Sequence, residues 1–393
     1  MSAPPAVGGK QATIPVMVPM LGPEEAEAAA EAVRSGWVAE GPRVAAFEQA
    51  FAAEVGAAHG VATTSCTTAL HLCLYLLGIG PGDEVVVPSL SFVATANVVR
   101  HCGAVPVFAD VDPLTGNLDP TGVAEVLTPR AKAVLLVHQG GQPADVDAIR
   151  AVCGDVPVVE DAACAAGSTL RGRPVGTGAL LAAWSFHPRK VLTTGEGGMV
   201  TTDDPQWAAR LRRLRNHGMS ASAADRHAAE RGTAARVVLE EYTESGYNYR
   251  MTDVQAAMGL VQVGRLAGIV RDRREKAARY HELLAPLGLR AVRDPEGGES
   301  NFQSFWVELP DGAPSMLDVL TDLGRAGVSA RRGIMAAHLE PAYAGHPHAA
   351  LPVTERLTAR SLILPLHHEL TAQDQDRVVD VIAAAAARRV VAA

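Results

Sequence analysis

No pair among the five cysteines, at 66, 73, 102, 153 and 164, has a C-x-x-C spacing, and their number is odd. The spacing offers no redox dithiol motif, and the odd count gives no sign of a disulfide framework. Reduced thiols in a cytoplasmic protein are the simplest account. Basic residues are not in excess either, since 35 Lys and Arg against 43 Asp and Glu give a formal charge of −8. Without a basic run, the sequence lacks the footprint of a nucleic-acid or anionic-membrane partner. Residues 1–12 lack the apolar stretch of a signal peptide and read as a flexible tail, and no apolar run approaches the length of a membrane helix. Internal repeats are absent, and alanine-rich helices are the nearest thing to low complexity. Paired His367 and His368 have no third ligand at a metal-site spacing, so no metal is expected.

What is present suits a folded chain, with 48% hydrophobic and 20% charged residues. A length of 393 residues exceeds one typical core and predicts two domains. Short apolar runs at 85–88, 105–111, 133–138, 157–159 and 182–186 alternate with helical stretches such as 144–153. That alternation predicts a mostly parallel α/β sheet covered on both faces, with ligands outside the carboxyl ends of its strands. A long helix over 253–284, broken near Gly264 or Gly268, leads to a smaller α+β region with a strand at 304–309 and helices at 315–326 and 372–387. Residues 219–240 show no apolar stripe and read as a mobile excursion or an exposed helix.

Candidate chemistry collects at the predicted strand ends. Residues 183–200 read as a buried strand, a turn presenting Lys190, a glycine-rich turn and a second buried strand. Lys190 is either a solvated surface charge or an amine held beside hydrophobic residues, where desolvation favours the neutral nucleophile. Thr64, Ser65, Thr67 and Thr68 open a helix and serve either as an N-cap or as a phosphate site. Their spacing is not that of a P-loop. Asp161, directly after the run 157–159, is a ligand contact, a helix cap or an exposed loop carboxylate. Hydroxyls, an aromatic, a carboxylate and a lysine form the set that a phosphorylated aldehyde cofactor needs.

Seven motifs, in order, carry a resemblance. They are Ser65-Cys66-Thr67-Thr68-Ala69-Leu70-His71, Gly82-Asp83-Glu84-Val85 with Pro88-Ser89 and Phe92, Gly141-Gln142-Pro143-Ala144-Asp145, and Glu160-Asp161-Ala162-Ala163. Ser185-Phe186-His187-Pro188-Arg189-Lys190 with Gly195-Glu196-Gly197-Gly198-Met199, Arg215-Asn216-His217-Gly218, and Gly246-Tyr247-Asn248-Tyr249-Arg250-Met251 complete the series. From about Pro15 onward the chain resembles the DegT/StrS-type sugar aminotransferases, a pyridoxal-phosphate family of the fold-type I architecture. The resemblance implies a large cofactor-binding domain (13–260) with a mostly parallel seven-stranded sheet and a small C-terminal α+β domain (261–393).

The resemblance also assigns roles. Lys190 matches the lysine that holds the cofactor aldehyde covalently, as an internal aldimine, and Asp161 the carboxylate on the pyridine nitrogen. Phe92 matches an aromatic over the ring. Thr67, Thr68 and Ser185 match phosphate ligands, and Asn248 matches a residue that reaches the phosphate from a neighbouring subunit, which implies a homodimer with shared sites. Cys66 stands where the family usually has a small residue, and Cys164 where most members place Gln or His near the phenolic oxygen. The implied reaction is a ping-pong transfer of an amino group from glutamate to a nucleotide-linked ketosugar, often a 4-keto-6-deoxyhexose. Alternatives are a cyclitol ketone as acceptor, a pyridoxal-phosphate dehydratase or lyase, and a non-catalytic relative. Dehydrating members put histidine at the position of Lys190. Arg331 and Arg332 are candidates for binding a substrate diphosphate, or a solvated face.

Overall fold

Runs such as Val85-Val86-Val87 and Val134-Leu135-Leu136 are apolar on both faces of a strand, and they lie fully buried at the centre of a sheet covered on both sides. The structure, a computed structural model, describes residues 13–221 and 239–387. The tail expected over 1–12 and most of the excursion expected over 219–240 lie outside the described residues.

Seven strands form the main sheet: β1 (His59–Thr63), β2 (Glu84–Pro88), β3 (Val105–Ala109), β4 (Ala131–Val137), β5 (Val158–Asp161), β6 (Ala182–Ser185) and β7 (Gly198–Thr202). Their order is β1-β7-β6-β5-β4-β2-β3. Only β7 runs against its neighbours β1 and β6, so the sheet is mostly parallel, as expected. β1 is the strand that the sequence pattern hid. Its five residues run directly into the hydroxyl cluster, and they read as the approach to a helix.

A second, antiparallel sheet joins Arg290–Ala291, Phe305–Glu308, Ser361–Leu364 and Arg331–Arg332 in that order. With the helices Met316–Arg325 and Ala372–Ala387 it encloses a core of its own. The helix Asp253–Leu284 serves both cores. Ala256, Leu266 and Ile269 pack in the large-domain core, on the side of α1 (Pro23–Arg34) and α2 (Pro42–Glu54), whereas Ala277, Tyr280 and Leu284 pack in the small-domain core. The expected break near Gly264 or Gly268 does not occur. A glycine costs a helix about 1 kcal/mol, and each buried Leu or Ile on this helix returns about 2 kcal/mol. Packing therefore overrides propensity. The division expected between 260 and 261 falls within this helix, and Ile14, near the start of the chain, pairs with Val328 in the small domain. Among the described residues no helix is long and apolar enough to cross a membrane.

Candidate active site

The carboxyl ends of β2, β4, β5 and β6 open into one cleft of about 360 Å³, roofed by small-domain residues. A larger cavity of about 1070 Å³, bordered by Asp112, Arg293 and Glu296, holds none of the candidate groups.

The helix after β1, α3 (Cys66–Leu76), begins at this cleft. Ser65 caps it, its hydroxyl accepting from the Thr68 amide at 3.2 Å, while the Thr68 hydroxyl accepts from the Ser65 amide at 3.1 Å. Thr68 is thereby committed to the cap and does not line the cleft, whereas Ser65, Cys66 and Thr67 do. The first amides of the helix have no partner within it. β7 passes directly against this helix start. A Cβ on Gly198 would lie 2.3 Å from the Ser65 carbonyl carbon and 2.5 Å from the Cys66 nitrogen, so only glycine fits there.

Asp161 ends β5 and is 5% exposed. Its Oδ2 accepts from the Thr95 hydroxyl at 2.9 Å and its Oδ1 from the Ala163 amide at 3.3 Å. Burial pushes the carboxyl above its ordinary range, against the pull of Thr95, Ala163 and the Lys190 charge. Behind it, His138 accepts from the Ala144 amide at Nδ1 (2.9 Å). The His138 proton is thus on Nε2, which donates to buried Glu160 at 3.1 Å. This bond ties β4 to β5 beside Asp161.

Lys190 follows β6, and its Nζ donates to Cys164 Sγ at 3.1 Å. Burial alone lowers the affinity of this amine for its proton. The Cys164 and Cys66 sulfurs and the Asp161 carboxylate outweigh burial and hold Lys190 above its ordinary value. Of the two readings the sequence left open, Lys190 lies in the cleft rather than on a solvated face, and its neighbours there are sulfur and carboxylate. Cys66, 3.9 Å from Asp161, has its thiol pushed well up by burial and then by that carboxylate. Phe92 stands at the mouth, 58% exposed.

Of the residues singled out from the sequence, the cleft gathers Cys66, Thr67, Phe92, Asp161, Cys164, Ser185 and Lys190. Asn248 is exposed and outside it, joined to Asn216 by a backbone bridge. Two glycines allow that pairing. A Cβ on Gly218 would lie 1.8 Å from the Glu244 carbonyl oxygen, and one on Gly246 would lie 2.2 Å from the Gly218 nitrogen. Thr95, Gln139, Gln303 and Ser304 also line the cleft and were not foreseen. Thr95 had a local signal, since it lies four residues after Ser91 and their hydroxyls meet at 2.9 Å. Gln303 and Ser304 arrive through tertiary packing and had none.

The donor set fits pyridoxal phosphate. Lys190 supplies an amine for its aldehyde, Asp161 a buried carboxylate without an ion pair among the described residues for its ring nitrogen, and Phe92 an aromatic face. Thr67, Ser185 and the free amides of α3 would hold its phosphate. Among the described residues no group of three or more His, Cys, Asp or Glu side chains is placed to hold a metal ion.

Comparison with known proteins agrees with this geometry. The profile of the DegT/DnrJ/EryC1/StrS aminotransferase family matches residues 19–383. The GDP-perosamine synthase of Caulobacter vibrioides is 39% identical over 373 residues, covering 93% of this chain and 96% of its own. The crystal structure of the aminotransferase TlmJ from Streptoalloteichus hindustanus superposes with a TM-score of 0.87 at 40% identity, over 95% of this chain and 99% of that one. DesI, solved in the presence of its TDP-sugar product, superposes at 0.86 with 34% identity, over 96% and 94%.

Proposed function

Because this chain belongs to the DegT/DnrJ/EryC1/StrS aminotransferase family, and so is a pyridoxal-phosphate-dependent sugar aminotransferase, we propose that it moves an amino group from glutamate to a nucleotide-linked 4-keto-6-deoxyhexose. The observation that carries the reading is the meeting of the Lys190 amine, the buried Asp161 carboxylate and the start of α3 in one cleft. The names of two similar proteins, a GDP-perosamine synthase and an enzyme with a TDP-sugar product, favour the nucleotide-linked acceptor.

Bound pyridoxal phosphate supplies an electron sink that makes the hydrogen on the amino-bearing carbon acidic. The protein's own groups do the rest. Asp161, kept in place by Thr95 and Ala163, would meet the ring nitrogen and favour its protonated form. Lys190 Nζ would hold the cofactor aldehyde and is the group placed to take and return a proton at the substrate carbon. Cys164, 3.1 Å from Nζ, orients that amine across the cleft. Thr67, Ser185 and the helix amides would hold the phosphate, and Phe92 at the mouth would offer its face to the ring. Donor and acceptor use the same cleft in turn, which is a ping-pong cycle. Asn248, exposed on its own chain, serves the phosphate of a second copy, so the active form is a homodimer.

The test is to incubate the purified protein with glutamate and a panel of dTDP-, GDP- and UDP-linked 4-ketosugars, together with inosose-type ketones. Release of 2-oxoglutarate is followed by mass spectrometry. The expected result is release coupled to one nucleotide-linked ketosugar. Release with inososes alone would replace the acceptor with a cyclitol, and no release with any ketone would remove glutamate as donor.

A further inference from the structure

Two guanidinium groups border the cleft, and they come from distant parts of the chain. Arg189 immediately precedes Lys190 in the turn after β6, and Arg331 lies on the small-domain strand Arg331–Arg332. The backbone fixes both. The Arg189 carbonyl accepts from Gln303 Nε2 at 2.8 Å, and Arg331 is held in register with Ile363.

Neither side chain has an ion-pair partner among the described residues. The adjoining charged side chains have other neighbours. Arg332 donates to Glu340 at 2.9 Å, Glu196 lies 4.0 Å from His187, and Asp161 sits at the cleft floor with Thr95. Arg331 is held below its ordinary value by burial first and then by repulsion from Arg189 and Arg332. Arg189 and Arg331 are both exposed at the cleft mouth, where their like charges repel each other, and an anion bound between them relieves that repulsion. The guanidinium fork is the side chain best matched to a planar carboxylate or a phosphate.

We propose that Arg189 and Arg331 together form an oxyanion site that clamps the anionic end of a substrate, a carboxylate or a phosphate, and so sets the reacting carbon beside Lys190. The proposal rests on the aminotransferase reading above and adds to it the groups that recognise substrate charge. Arg189 approaches from the large domain and Arg331 from the small one, so a single anion bridges the two domains over the cleft. Neutral ketones and amines lack this anchor and are selected against.

The experiment uses cofactor-loaded protein and pyrophosphate as the probe, with binding followed by calorimetry for the wild type, Arg189→Met, Arg331→Met, Arg331→Lys and Arg332→Met. Each loss of Arg189 or Arg331 is expected to weaken pyrophosphate by about tenfold or more, as for other hydrogen bonds to charged groups. Arg331→Lys keeps the charge but not the fork and should recover part of the affinity. Arg332→Met should stay within about twofold, because its partner is Glu340. Unchanged affinity in both methionine variants, or an equal loss in Arg332→Met, overturns the proposal.

KM values then identify the source of the anion. A rise for glutamate alone assigns the donor carboxylate, a rise for the ketosugar alone assigns the phosphate, and a rise for both assigns the two in turn. If the wild type aminates no ketosugar while pyrophosphate binding still depends on the pair, the acceptor reading fails and the anion site stands. The opposite pattern sinks the anion site alone.

Discussion

A carboxylate only 5% exposed at the end of a parallel strand costs stability until a positive charge meets it. Asp161 is in that position, with its carboxyl raised by burial. A carboxyl whose folded value lies above its unfolded one stabilises the fold below the unfolded value, and that contribution is lost as pH rises through the folded value. In the cofactor-free protein the ionised form of Asp161 is therefore the destabilising one. Asp161→Asn is expected to hold pyridoxal phosphate at least about tenfold more weakly, having lost its charged hydrogen bond. Its cofactor-free form should melt at the same temperature as the wild type or higher at pH 7, with the gap closing toward acid pH. Scanning calorimetry of both stripped proteins checks this, and a clearly lower melting temperature for the variant at pH 7 would refute it. At this scale the sequence carried a good deal. The strand-end positions of Lys190 and Asp161 were legible, whereas the roles expected of them came from the seven-motif resemblance and not from position alone. The contact of Lys190 with Cys164 was not legible, since it joins residues 26 apart through a loop. Nor was the capture of Thr68 by the helix cap, because four adjacent hydroxyls are equivalent until the backbone turns.

The helix Asp253–Leu284 is the element on which the two halves of the cleft depend. Its Arg273, 2% exposed, donates to the carbonyls of Phe302, Gln303 and Leu366 at 2.7–3.0 Å. Burial brings this guanidinium down to about 10. The bonds hold the segment that carries Gln303 and Ser304 into the cleft roof, so the helix places small-domain residues over Lys190. Arg273→Met leaves those carbonyls without a donor and is expected to cost about 3 kcal/mol in denaturant unfolding, with an unchanged slope. A cost below about 1 kcal/mol would show that water replaces the guanidinium. The parallel strands were legible because their runs are apolar on both faces, and the ends of this helix were marked by its Thr252 cap and by Leu284. Its continuity was not, because the apolar partners that override Gly264 and Gly268 belong to two separate cores. β1 was hidden for a different reason: five residues leading into a helix have no period long enough to read.

For the molecule as a whole, the reach of Asn248 decides how many chains make an active site. On its own chain it is exposed and outside the cleft, although its segment is held firmly, with Tyr247 and Tyr249 stacked at 4.9 Å and Arg250 donating to Asn216 at 2.7 Å. An exposed polar group on a firmly held segment, together with exposed Phe92 at the cleft mouth, is what a symmetric pairing of copies would use. Complementation distinguishes a shared site from a self-contained one. Lys190→Ala should lose about a thousandfold or more in activity, and Asn248→Ala should hold the phosphate more weakly. In a hybrid of the two, the cleft with intact Lys190 receives intact Asn248 from the other chain. Random re-association of equal amounts should therefore restore about a quarter of the wild-type sites. Cofactor retention and turnover rising together on mixing would support sharing across the interface. If mixing gives only the average of the two variants, Asn248 acts within its own chain or not at all, and the active form need not be a dimer.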